Sequence, residues 1–309
     1  MTAGFLDQMA RSSAARVAEA KARTPGSELR ARVLDTPPPP PLVLSPEGFD
    51  LIAESKLRSP AAGRLAAESA GSLEELTARA LSYARGGAAA VSILTEPTRF
   101  DGALAHLEAA ARAVRVPAMR KDFLVDPYQV LEARAAGAGG VLVILRMLSS
   151  DTVRALIDCA RELGMFVLLE AFDESDIERA CSIIEALGAS GGPPLLLGLN
   201  CRDLDTLRVV PGRLEALAPR LPANARRVAE SGVGSPQDAA RVAAAGYDLA
   251  LVGSALMTDD SPADLVHAML AAGRAAKRGA SRPAESAKPE SAAIESASGP
   301  LRAAQRGAS

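Results

Sequence analysis

The chain has no Trp, only 2 His and 3 Cys among 309 residues, and an aromatic content of 3%. Two histidines are too few for metal chemistry built on His clusters. Cys159, Cys181 and Cys201 stand roughly twenty residues apart, which is neither a zinc spacing nor a paired disulfide framework. They read as packing residues, and His106 and His267 fall in helical stretches with nothing to distinguish them. A charge excess is missing too: 35 Lys+Arg against 37 Asp+Glu leave −2, with no pull toward nucleic acid or membrane surfaces. No apolar run approaches the roughly 18 residues of a membrane span. Arg11 and Arg16 interrupt the region where an export signal would need its apolar stretch. The expectation is a cytoplasmic, mostly α/β protein with no nucleic-acid, membrane or obligatory protein partner.

What is present supports a sizeable core, since 48% of residues are hydrophobic. The length allows one large domain or two average ones. From about residue 280 the chain turns Ala/Ser/Glu/Pro/Arg-rich, with Ile294 and Leu301 its only large aliphatic residues. Such a segment buries too little to offset its ordering entropy, so 280–309 reads as a disordered tail. Pro37 to Pro41 is a five-proline run that excludes helix and should be stiff and extended. A spacer reading is favoured there over an SH3-type ligand. Before it, Phe5, Leu6, Met9, Ser13 and Val17 fall at helical spacing and mark an amphipathic helix that packs on the main domain. The expected division is a helical extension with a proline spacer over 1–48, a catalytic domain over 49–279 and the tail.

Within 49–279 short apolar runs alternate with Ala/Leu/Arg-rich stretches of helical period. The strand candidates are Phe49–Lys56, Ala89–Leu94, Val116–Lys121, Gly140–Leu145, Phe166–Glu170, Leu195–Asn200, Arg226–Glu230 and Leu249–Gly253. Eight repeated β-then-α units imply parallel strands and fit a closed (β/α)8 TIM barrel. An open doubly wound sheet would carry a glycine-rich loop after its first strand, and this strand ends Glu54-Ser55-Lys56 instead.

A barrel of this kind places its active site at the C-terminal ends of its strands. Glu54 and Lys56 are two apart and share one face, which in a barrel is the interior. Lys121 ends strand three, Glu170 strand five, Asn200 strand six and Glu230 strand seven, with Arg202 and Ser231 just beyond. A single Lys or Glu at a strand end is ordinarily a solvated loop residue. Two lysines, three glutamates and an asparagine converging on one mouth are different, because unpaired buried charge costs several kcal/mol. The cluster therefore reads as an acid/base site. Ser231-Gly232 and Gly253-Ser254 follow strands seven and eight, where barrels commonly bind phosphate, and Lys56 with Ser59-Pro60 could close over the same anion. A phosphorylated small molecule is the expected substrate.

At these residues the chain resembles the indole-3-glycerol phosphate synthase family. The resemblance is carried by Ile52–Lys56 with Ser59-Pro60, Gly86–Glu96, Arg120–Gln129, Leu163–Met165 with Leu169-Glu170, Gly198–Leu204, Glu230–Val233 and Leu251–Met257. The stretch Arg120-Lys121-Asp122-Phe123-Leu124-Val125-Asp126-Pro127-Tyr128-Gln129 is the most specific of the seven. The family's reaction closes an indole ring on 1-(2-carboxyphenylamino)-1-deoxyribulose 5-phosphate with loss of carbon dioxide and water, a step of tryptophan biosynthesis that uses no cofactor.

The resemblance implies that Lys121 protonates the ketone oxygen and that Glu170 stabilises the charge developing on the anilino nitrogen. Glu54 and Lys56 are then the base and acid of the dehydration. Asn200, Arg202, Glu230 and Ser231 match substrate-binding and supporting positions. Lys56, Ser59, Gly232, Gly253 and Ser254 match the phosphate side, while Phe100 and Phe123 would wall the aromatic ring. Burial and a neighbouring cation such as Lys56 are expected to bring the Lys121 pKa down toward neutrality. Departures from the family pattern are Ala61, Gly102-Ala103, Ser55 and Leu57, all near substrate-facing loops. Two rival readings are a related phosphosugar barrel enzyme of the phosphoribosylanthranilate isomerase type and a non-catalytic interaction protein. The isomerase type would carry a Cys near the end of strand one, where this chain has Glu54 and Lys56.

Overall fold

The computed structural model describes residues 4–59, 63–64, 72–187, 192–203 and 206–281. Eight parallel strands close into a barrel: β1 (Asp50–Ser55), β2 (Ala90–Leu94), β3 (Ala118–Lys121), β4 (Gly140–Ile144), β5 (Phe166–Ala171), β6 (Leu195–Asn200), β7 (Arg226–Glu230) and β8 (Leu249–Val252). Each strand pairs with its sequence neighbours, and β1 pairs with both β2 and β8 to complete the ring. Most of their residues are buried on both faces, which is why they read as apolar runs rather than alternating ones.

Alternation sorts the strands into two cores. Leu51, Ala53, Val91, Ile93, Val141, Val143, Val167 and Leu169 point outward into a shell shared with the surrounding helices. Ile52, Ala90, Met119, Leu142, Phe166, Leu168, Leu196, Val228 and Leu249 fill the barrel. The interior is thus a packed plug below the strand ends that carry the charged residues. Gly140 is required by this plug, since a Cβ there would overlap the Phe166 ring. Helix entries follow ordinary capping chemistry: Ser72 accepts from the Glu75 N–H, and Asp126 accepts from the Tyr128 N–H ahead of Pro127.

The extension holds two helices, α1 (Phe5–Arg23) and α2 (Gly26–Asp35). The first buries Met9, Ser13, Val17 and Ala20, the face expected from the spacing; the second buries Leu29 and Val33. The proline run is extended, and Arg134 anchors its start by donating to the carbonyls of Thr36 and Pro37. Pro39 and Pro40 then lie against Gly139, and Leu42 and Leu44 pack on the interior core. The segment therefore covers the barrel end opposite the charged mouth. The last helix runs Pro262–Ser281, two residues past the expected boundary at 279; the expected tail from 282 onward lies outside the described residues. No described helix is long and apolar enough to cross a membrane.

Candidate active site

A cavity of about 470 Å³ opens at the C-terminal ends of the strands. It is lined by Glu54, Lys56, Lys121, Glu170, Asn200 and Glu230, together with Phe100, Phe123, Arg202, Ser231, Gly232, Gly253 and Ser254. Every site residue expected from the sequence is there except Ser59. That residue lies by its backbone in a two-stranded hairpin, Arg58–Ser59 with Gly63–Arg64, and its side chain is outside the described set, as are Pro60 and Ala61.

The polar floor is a compact charge cluster. Glu54, Glu170 and Glu230 are almost completely buried. Lys56 Nζ donates to Glu54 Oε1 at 2.8 Å. Lys121 Nζ lies 3.7 Å from Glu170 Oε1 and 3.8 Å from Glu230 Oε2, close enough for attraction but not for good hydrogen bonds. Asn200 Nδ2 donates to Glu170 Oε1 at 2.7 Å, and its side-chain oxygen Oδ1 accepts the Arg202 N–H at 2.9 Å. Asn200 therefore fixes Glu170 and leaves it facing the lysine.

Three buried carboxylates and two ammonium groups share the floor, with the Arg202 guanidinium also lining the cavity. Burial pushes the Glu230 pKa well above the usual carboxylate range, reinforced by the adjacent Glu170 carboxylate and only partly opposed by Lys121. Glu54 is also penalised by burial, but Lys56 and Lys121 outweigh that and hold its pKa low. The expectation for Lys121 is overturned. Burial alone would lower its pKa, yet Glu170, Glu230 and Glu54 surround it and raise it instead. Lys56, the cation expected to depress it, is engaged with Glu54.

The wall on the other side is apolar. The Phe100 and Phe123 rings sit 6.2 Å apart, and Phe5 from α1 meets Phe123 edge-on at 5.9 Å. Phe123 is placed by the residue before it. The buried Asp122 carboxylate accepts the Phe123 N–H, the Thr95 hydroxyl, Arg120 and both terminal nitrogens of Arg16. Although burial opposes ionisation, Arg120 and Arg16 hold the Asp122 pKa far below the usual range. Arg120 itself faces outward into the helical shell, donating also to the Gln129 carbonyl and Glu132. The most specific motif thus supplies one residue to the cavity floor, one to its wall, and a buried ionic brace between them.

At the remaining edge, Ser231 and Gly232 both adopt left-handed backbone, with φ of 66° and 68°. For Ser231 this costs strain, as is common where backbone is shaped for a ligand. Gly253 is different from what its place beside Ser254 implied. Its φ is ordinary, and a Cβ there would come within 2.6 Å of Glu54 Oε1 and 3.0 Å of Lys56 Nζ. It is small to admit the Glu54–Lys56 pair. Gly198 was missed by sequence reasoning: a Cβ would collide with Glu230 Oε1, and an isolated Gly inside an apolar strand was the available signal. Phe5 and Leu6, placed by the helical spacing on the packing face of α1, also line the cavity, as do Phe172, Leu207 and Val209, which no local pattern marked.

Residues 6–269 match the family described as indole-3-glycerol phosphate synthase. The chain is 44% identical over 255 residues to the indole-3-glycerol phosphate synthase of Nocardioides sp., covering 82% of this chain and 93% of that protein. It is 39% identical over 270 residues to indole-3-glycerol phosphate synthase 1 of Streptomyces coelicolor, covering 87% and 95%. Among solved structures, 3-hexulose-6-phosphate synthase from Salmonella typhimurium superposes with a TM-score of 0.55 at 17% identity, over 75% of this chain and 99% of that one; this likeness shows the barrel fold alone. With its family match spanning all eight strands, and with the motif residues gathered at one mouth, the chain belongs to the indole-3-glycerol phosphate synthase family.

Proposed function

We propose that this mouth closes the indole ring of 1-(2-carboxyphenylamino)-1-deoxyribulose 5-phosphate, releasing carbon dioxide and water and giving indole-3-glycerol phosphate. The carrying observation is Lys121, held between Glu170 and Glu230 on the floor of a cavity whose far wall is Phe100 and Phe123. The ring carbon bearing the carboxylate attacks the ketone, so negative charge develops on the ketone oxygen and positive charge on the anilino nitrogen. Lys121 enters this step fully protonated and delivers its proton to that oxygen. Glu170, anchored by Asn200, faces the nitrogen. After decarboxylation, Glu54 takes a ring-carbon proton while Lys56 protonates the departing hydroxyl as water. Arg202, Ser231 and Glu230 bind and orient the substrate. Ser59, Gly232 and Ser254 take the phosphate end, with Lys56 shared between the two tasks and Gly253 leaving room for it.

The test is direct. Supplying the carboxyphenylamino-deoxyribulose phosphate should produce indole fluorescence at a rate proportional to protein, and the absence of Trp keeps the background small. Substrate that binds and is recovered unchanged would overturn the reading in favour of a non-catalytic role.

A further inference from the structure

Ser92 is the polar residue that β2 turns toward the barrel interior, between Ala90 and Leu94. Its hydroxyl is fully enclosed and has no hydrogen-bond partner among the described residues. Directly opposite in register on β1 stands Glu54. Neighbouring strands are about 4.8 Å apart, so the two side chains rise side by side. One oxygen of Glu54 is occupied by Lys56, and the other, Oε2, is buried without a partner. Two buried polar groups without partners thus belong to register-paired residues of adjacent strands, an arrangement costly to keep unless the two are used together.

The roles assigned to Glu54 and Lys56 supply that use. Lys56 has to reach the substrate and Glu54 has to accept a proton, so their 2.8 Å contact opens during turnover. Glu54 is too buried for water to replace the lysine easily. We propose that Ser92 is a positioning residue for Glu54, its hydroxyl donating to Oε2 when Lys56 turns to the substrate and keeping the carboxylate ionised and aimed. This rests on the reading of Glu54 as the dehydration base. The other groups facing Glu54 are Lys121 from β3, Arg202 beyond β6 and Glu230 on β7. Tyr83, from the helix Leu73–Arg85, lies nearby with its hydroxyl turned to Met257 Sδ, and β8 presents Gly253. Among the described residues Lys56 is the donor to Glu54, and Ser92, its register partner on β2, carries a hydroxyl that has no partner.

The experiment compares the full-length wild type with Ser92→Ala, Ser92→Cys and Ser92→Thr across pH, using the ring-closure assay. If the wild type itself forms no indole product, the functional reading fails, which is distinguishable from any result below. Ser92→Ala should lower kcat about tenfold with KM changed less than about twofold, as expected for loss of one hydrogen bond to a charged group. Losing a donor raises the Glu54 pKa, so the acidic limb of the kcat profile should move to higher pH. Ser92→Thr keeps the hydroxyl and should recover most of kcat; Ser92→Cys, a weaker donor of similar size, should fall between and guards against an Ala variant that folds poorly. The proposal is overturned if folded Ser92→Ala and Ser92→Cys keep the wild-type acidic limb. A Thr variant that folds yet is as slow as Ala overturns it too.

Discussion

Lys121 carries the heaviest chemical demand, and its surroundings say how it should respond to substitution. Lys121→Met keeps the stem while removing the proton and the charge. General acid catalysis is worth about 10²–10⁴-fold, and lost stabilisation of the developing oxyanion adds to it. We expect kcat to fall at least about 10³-fold with a much smaller change in KM, measured by steady-state fluorescence. Lys121→Arg should be nearly as slow, because the longer, planar guanidinium does not fit the place the ammonium group takes between Glu170 and Glu230. If Lys121 were only a counter-ion to Glu170 and Glu230, Arg would restore most of the rate. Glu230 makes the complementary prediction about stability. Its folded pKa lies above the unfolded value, so its ionisation costs nothing below the ordinary glutamate range, where both states are protonated. The cost grows as pH rises above that range and levels off past the folded pKa. Glu230→Gln resembles the protonated form, so its Tm should match wild type near pH 4 and exceed it progressively toward pH 8. A Tm difference that does not vary with pH would show that Glu230 is ionised at rest.

The brace between α1 and the end of β3 is the element whose removal should matter most. Arg16 donates to both oxygens of Asp122, at 3.1 and 2.8 Å, and Ser13 bonds the Phe123 carbonyl one turn away. Arg16→Leu keeps bulk but leaves part of a buried carboxylate unmatched, which costs about 2–3 kcal/mol. Thermal unfolding should register the loss, and KM should rise because Phe123 and Phe5 are no longer held against each other. An unchanged Tm and KM would mean the helix docks by apolar burial alone. The eight strands were legible because most of their residues are buried on both faces and helical period bounds them, and all eight lie within two residues of the expected bounds. Glu54, Lys56, Lys121, Glu170, Asn200 and Glu230 were legible because polar residues interrupt those runs. The contact from Arg16 to Asp122 spans more than a hundred positions, and no local spacing encodes it. Nor does local pattern reveal that the Lys121 pKa rises, since that depends on which three carboxylates the ring of strands brings around it.

For the whole molecule, the two ends of the chain should behave oppositely. Residues 1–41 carry Met9, Val17, Leu29 and Val33 into the cores, and Phe5 and Leu6 into the cavity wall. Each buried large side chain contributes about 1.5–3 kcal/mol, so deleting this segment removes an amount comparable to the whole stability of a typical domain. Such a truncation should aggregate or unfold well below the wild-type Tm. At the other end, the ring of strands closes at Val252, and all site residues precede Ala255. The helix Pro262–Ser281 then packs against the barrel, burying Val266, Met269 and Leu270, with Arg274 held by the Phe49 carbonyl and Asp50. Lys277 reaches Asp248 at 3.2 Å from the same helix, so a cut at 280 falls inside an element that is still engaged. Cutting after Ser281 spares it. Removing 282–309 takes away a segment of low apolar content and should leave Tm within about 2 °C of wild type, and kcat and KM within about twofold. A larger loss on that cut, by either measure, would show that the terminal segment contributes to the barrel or to its mouth.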